Sequence, residues 1–247
     1  MTNGSPSDPE AAAPTATKAA PVSADRPAGV VDLLGLLAYA ELVAFFRLAA
    51  HAELAPTLAA KGELAELAAT EQDHYRNLRD RLGELGADPE AAMAPFVEPI
   101  DAWHARTEPQ SWLEGLVKAY VGDGIAGDFY RAVAESADPA TSELVANVVE
   151  ESGRAEFVAA RVRAAVADDP KLAGRLSLWA RRLVGEALSQ AQVVAAQRVE
   201  LAALLVGAGP DGESGQSPSG DLGAVSRMFA KLTDAHSARL AAMGLTG

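Results

Sequence analysis

The sequence predicts an all-α protein: a four-helix bundle of two antiparallel helical hairpins joined by a long crossover, with additional C-terminal helices. Three observations carry this. Ala and Leu dominate a chain of 247 residues that is 49% apolar and only 5% aromatic, a composition that favours helix over sheet. Apolar residues recur at helical spacing over long stretches, and no strand-like alternation of useful length interrupts them. Pro and Gly fall between those stretches, at Pro56, Gly86, Pro139, Pro170 and Gly207, where they punctuate helices.

The elements follow in order. Residues 1–28 are rich in Ala, Pro, Ser and Thr without periodicity. They are expected to form a disordered tail, because they cannot bury enough surface to offset chain entropy. The bundle is expected over 29–206. Its first helix runs from about Val30 to Leu54, with Leu33, Leu36, Leu37, Tyr39, Leu42, Phe45 and Phe46 as core candidates. Pro56 marks the turn, and a second helix runs from about Thr57 to Leu85. The stretch 87–110 holds Pro89, Pro95, Pro99 and Pro109 and reads as the crossover connection. Ser111-Trp-Leu-Glu114 is a capping box that opens a third helix, reaching about Ala137. Asp138-Pro139 and Asp169-Pro170 each pair an N-cap acid with Pro at the first helical position. They open a fourth helix, to about Ala167, and a fifth, to about Val206. Residues 207–220 are Gly, Ser and Pro with acids and read as a flexible linker. A last helix within 221–247 carries Val225, Met228, Phe229, Leu232 and Leu240 and is expected to pack on the bundle.

Composition excludes several chemistries. With no Cys, disulfides, thiolate metal sites and Cys nucleophiles are absent. A net charge of −13 and a pI near 4.7 speak against non-specific nucleic-acid binding. The helices carry charges every few residues, so no span of a bilayer and no membrane partner is expected. The start of the chain lacks a basic region followed by an apolar core, and a cytoplasmic location is expected.

The chemistry centres on Glu71-Gln-Asp-His74. On a helix Glu71 and His74 share a face, and Leu67, Ala68, Tyr75 and Leu78 place that face toward a core. Burying a carboxylate and an imidazole without partners is costly. Glu-x-x-His aimed inward from a bundle helix is one known ligand set for two metal ions; a solvated surface pair is the alternative. Further acids at the same level distinguish the two. In an antiparallel pair, residues equidistant from the turn lie level. Glu41 and Glu71 are centred on Pro56, and Asp123 and Glu151 are centred beside Asp138-Pro139. Each acid is thus ~20 Å from its own turn at the helical rise of ~1.5 Å per residue. Glu41 is flanked by Leu37, Ala38, Ala44 and Phe45, and Asp123 by Ala119, Tyr120, Ala126 and Gly127. Four acids on largely apolar stripes would repel one another and stay protonated without a cation.

Gly35-Leu-Leu-Ala-Tyr-Ala-Glu41, Glu71-x-x-His74, Tyr120-Val-Gly-Asp123 and Glu151-x-x-x-x-Glu-Phe157 resemble the ferritin-like di-iron superfamily, in particular its MiaE-like branch, related to a tRNA methylthio-isopentenyladenosine hydroxylase. The resemblance covers roughly Val30 to Val206. It implies two irons held by two Glu-x-x-His pairs and two further acids, with dioxygen and a tRNA as substrates. Matched residue by residue, it implies Glu41, Glu71, His74, Asp123 and Glu151 as ligands. The second imidazole is replaced, because this chain reads Glu151-Ser-Gly-Arg154, and Arg stays protonated and cannot ligate. Asp123 also stands where Glu is more usual, and Asp128 is a substitute on the same helix. One iron, or none, is therefore compatible with the chain. Arg154 is expected to turn inward and pair with the carboxylates as a fixed cation.

Other candidates are weaker. His51 reads as a solvated helix C-terminal residue, His104 as a loop contact, and His236 as a remote replacement imidazole. Glu186 reads as a surface ion pair or a support to the site, and Arg181-Arg182 as too small a basic cluster for RNA. Two functions remain: a dioxygen-dependent di-iron hydroxylase, or a non-catalytic or single-metal bundle with a structural or regulatory binding role. Iron storage is weaker, and assembly into an oligomer is open.

Overall fold

The computed structural model describes residues 1, 28–150, 154–207 and 218–246. The tail at 2–27, most of the 207–220 linker, Glu151 and the side chains of Arg154, Val225, Met228 and Phe229 lie outside the described residues. The described residues form nine α-helices and no strand. These are α1 (Ala28–Glu53), α2 (Leu58–Glu84), α3 (Pro89–Arg106), α4 (Trp112–Ala134), α5 (Pro139–Val148), α6 (Arg154–Asp168), α7 (Lys171–Gln197), α8 (Val199–Gly207) and α9 (Pro218–Ala242).

α1 and α2 pack antiparallel along their length, and α4 pairs with α5 and α6. Thr57 caps α2, its Oγ1 accepting the Ala60 amide at 3.1 Å. Gly86 ends α2 at a φ of 67°. There its amide bonds the Gly83 carbonyl at 2.8 Å and the Ala87 amide bonds Leu82 at 2.9 Å, a Schellman turn that favours glycine. Ser111 caps α4 as the capping box predicts, accepting the Glu114 amide at 3.3 Å. The returning Glu114 carboxylate, however, takes the Gln110 amide, at 2.7 Å.

Three expectations need correction. The 87–110 stretch is not an irregular crossover, because α3 occupies most of it. Asp88 caps the helix, with Pro89 at its first position. Pro95 and Pro99 lie four apart inside it, and each forfeits its own helical hydrogen bond. The offset is burial: Ala92, Phe96 and Pro99 form a buried stripe against α1 and α7. The fourth helix is not continuous, since α5 ends at Val148 and α6 starts at Arg154. Arg131 donates to the Val149 carbonyl at 2.6 Å, satisfying a helix-end acceptor. The fifth helix is likewise two, because Arg198 leaves helical geometry at φ −120°, ψ 77°.

Arg198 explains that break. Its Nε donates to Asp32 Oδ2 at 3.0 Å and its NH2 group to the other carboxylate oxygen. Asp32 is 5% exposed, so this ion pair is anchored on its buried side. Arg198→Ala is expected to cost about 2–3 kcal/mol, below the ~3–5 kcal/mol of a fully buried pair because the arginine is partly solvated. Urea unfolding at neutral pH measures this.

α1 also corrects the reading that no stretch could span a bilayer. It is long and apolar enough by composition to do so, with a window of mean hydropathy 1.9. Half of that window is buried inside the protein, against α2, α3, α4 and α8. A helix packed on several sides is apolar all round for that reason.

The core has two apolar clusters. One gathers Leu33, Leu37, Leu78, Phe96, Tyr130 and Val145. The other gathers Leu64, Ala68, Leu116, Val121, Leu176 and Leu183. Glu41, Glu71 with His74, and Asp123 each lie between members of the two clusters along α1, α2 and α4. The polar site therefore splits the core at one level of the bundle.

Candidate metal centre

Glu41 on α1 and Glu71 and His74 on α2 converge. One donor atom from each lies within 4.8 Å of the other two. His74 Nδ1 stands 3.3 Å from Glu41 Oε2 and 3.6 Å from Glu71 Oε2. The side chains are 13%, 4% and 16% exposed for Glu41, Glu71 and His74. The antiparallel turn at Pro56 makes residues 41 and 71 level, and the helical spacing of Glu71 and His74 does the rest.

These three border a cavity of about 100 Å³ with Tyr120, Asp123, Tyr130 and Glu150. Asp123 thus reaches the same space from α4. Burial pushes its carboxyl up to about 7, favouring the neutral acid. The Tyr130 hydroxyl is also raised, first by burial and then by the Glu41 and Asp123 charges. Tyr130 was not among the candidates drawn from the sequence. It lies one heptad beyond Asp123, so the stripe carrying that acid also carries the tyrosine.

The remaining candidates are placed as follows. Asp128 does not serve as a substitute ligand in this arrangement, because it pairs with Arg131 at 3.0 Å and Arg239 at 2.7 Å. Gly124 makes room for that second arginine, since a Cβ there would come 2.4 Å from Arg239 Nε. Glu186 makes the surface pair, with Arg106 at 3.6 Å. His51 is half-buried instead of fully solvated. Its Nδ1 faces the Arg47 carbonyl at 3.3 Å, its Nε2 is buried, and burial lowers its pKa. His104 lies within α3, not in a loop, and burial lowers it to about 3. His236 is 6% exposed and does not belong to the three-donor cluster.

Two carboxylates and one imidazole suit iron and other divalent transition metals. Donors at ~2.1 Å from an ion stand up to roughly 4 Å apart, so the cluster fits one ion with a small inward adjustment. A second ion would need Asp123 and Glu151.

A bundle with carboxylates and an imidazole projecting inward defines a ferritin-like helical protein. The family model described as ferritin-like domain, actinomycetes, matches residues 25–208, and the chain belongs to that family. Among solved structures, a protein from Synechococcus described as having aldehyde deformylating oxidase activity is similar in fold. Its TM-score is 0.53 at 20% identity, over 85% of this chain and 88% of that one. No curated protein matches the chain.

Proposed function

We propose that this protein is a dioxygen-dependent oxidoreductase of the di-iron carboxylate type, acting in the cytoplasm on an organic substrate. The observation that carries the reading is the convergence of Glu41, Glu71 and His74 donors within 4.8 Å inside a ferritin-like bundle. Iron held there would supply dioxygen activation. Glu41, Glu71 and His74 would hold it, with Asp123 and Glu151 toward a second ion. The protein's own contribution is a site flanked by two apolar clusters, which limits water. The Tyr130 hydroxyl, kept protonated by burial and nearby carboxylates, can donate a hydrogen bond into the cavity.

The finer expectation of a tRNA hydroxylase rests on the resemblance alone. A net charge of −13 gives a phosphate backbone little to bind. A second reading, a single-metal or non-catalytic bundle, is favoured by Arg154 standing where the second imidazole would be.

Metal analysis of protein expressed with iron, followed by optical spectroscopy under air, separates the two. Two irons per chain with an oxo-bridged spectrum are expected for the enzyme; less than one would overturn it. Under the single-metal reading, in which the wild-type chain holds one iron or fewer, Arg154→His is expected to raise iron content toward two per chain. An unchanged content would show that Arg154 does not stand in for a ligand.

A further inference from the structure

A second cavity, of about 600 Å³, borders the first, sharing Ala40, Ala44, Asp123, Ala126 and Tyr130 as wall. This volume falls in the range that holds whole small molecules, ~300–1,000 Å³. It is elongated. Its lining runs along α1 from Leu36 to Leu54 and along α4 from Gly115 to Tyr130, roughly 22–27 Å at the helical rise. Most of the wall is Ala, Leu, Ile and aromatic carbon, including Leu48, Leu64, Ile100 and Trp103.

The two cationic side chains and both histidines of the wall gather toward one end. Arg47, His51, His104, Glu108 and Lys118 line the cavity there. Lys118 is 6% exposed, with Nζ bonded to the Thr107 carbonyl at 2.8 Å and the His104 carbonyl at 3.4 Å. It also lies 4.9 Å over the Trp103 ring. Capping α3 in this way satisfies hydrogen bonds and leaves its charge uncompensated, because no described carboxylate lies within ion-pair distance of it. Glu108 pairs instead with Arg47, at 3.2 Å. Two cations and one carboxylate leave this end with a charge of +1. His51 Nε2 and His104 Nδ1 are buried there without a hydrogen-bond partner. An unpaired buried polar atom of this kind is costly unless a ligand or water meets it.

We propose that the large cavity binds an amphiphile with a terminal acid, such as a medium- or long-chain carboxylate. Its head lies at Lys118, Arg47 and the two histidines, and its apolar chain runs toward Glu41 and Asp123. The charges set this direction, since in the iron-free protein Glu41 and Glu71, just across the wall shared with the first cavity, would repel a carboxylate. From Lys118 to Asp123 on α4, and from His51 to Glu41 on α1, the distance along the helices is about 7–15 Å. Carbons well down the chain, not the head group, would therefore meet the metal centre. As a substrate assignment this rests on the oxidoreductase reading; as a binding site it stands by itself.

The test is calorimetric titration of the iron-free, full-length protein with dodecanoic acid and, separately, with 1-dodecanol. Dodecanoate is expected to bind one per chain, at least tenfold tighter than the alcohol. Lys118→Met should abolish that preference. Arg47→Gln, at an exposed position that leaves the fold intact, should reduce it about threefold. Equal affinity for acid and alcohol, or an unchanged preference in Arg47→Gln, would overturn the proposal. So would an unchanged preference in folded Lys118→Met. Iron content measured on the same variants should stay at the wild-type level. Loss of the acid preference with normal iron then separates failure of this site from failure of the metal reading.

Discussion

Glu71→Gln is expected to lower iron affinity by on the order of 100-fold or more. Removing a residue that merely supports a metal ligand already costs ~10–100-fold, and Glu71 belongs to the three-donor cluster itself. Gln keeps the size of the side chain, so packing beside Ala68 and Leu78 is retained. The measurement is iron per chain after exhaustive dialysis, with helical circular dichroism confirming the fold. His74→Ala should behave alike, because it removes the nitrogen facing both carboxylates at 3.3 and 3.6 Å. Glu53→Gln, an exposed acid at the end of α1, should leave iron content unchanged. If Glu71→Gln retained wild-type iron, the cluster would be an ordinary buried hydrogen-bonded group and the metal reading would fail.

Phe96→Ala should produce the largest loss of stability of any single truncation in α3, about 3–5 kcal/mol. Phe96 is fully buried and clusters with Leu33, Leu37 and Leu78, while Arg198 stacks over its ring at 5.9 Å. The helix it anchors carries two interior prolines, so burial of this ring offsets backbone hydrogen bonds that the helix lacks. A loss of that size lowers the melting temperature by about 10 °C in a chain of this length. Val97, next in sequence and exposed, serves as the control: Val97→Ala should shift melting by a degree or two. Equal, small effects at both positions would mean that α3 hangs loosely on the bundle.

The two predictions mark what the sequence discloses and what it hides. Helices α1, α2 and α4 were legible because helical periodicity and caps such as Thr57 and Ser111 are local signals. The meeting of Glu41, Glu71 and His74 was legible because an antiparallel turn converts sequence position into height. α3 is not legible, because prolines punctuate helices elsewhere in the chain, whereas here a buried stripe containing Phe96 and Pro99 outweighs their lost hydrogen bonds. The break at Arg198 depends on Asp32, 166 positions away in sequence, and no local pattern records such a pair. The large cavity was hidden for a related reason. Ala44, Leu48 and Ile100 read as ordinary core residues, and only the assembled helices show the cavity that their side chains border. The charge of Lys118 gave no hint either, because its partners are carbonyl groups at the end of another helix.

The end of α5 at Val148, with Val149 and Glu150 outside helical geometry, has a consequence for how the protein opens. Protection of an amide from exchange with solvent depends on the smallest unit that must unfold to expose it. Glu41, Glu71 and His74 lie on two uninterrupted helices that share one hydrophobic interface, so their amides should exchange only through a large cooperative opening. The facing wall is assembled differently. α5 is a short segment, and the Val149 carbonyl just past its end is held by the Arg131 side chain. Amides of α5 should therefore exchange faster than those around residues 37–45 and 68–78, by a sub-global route that leaves the first hairpin folded. One face of the site would then be a fixed template, and the other a door on a shorter timescale.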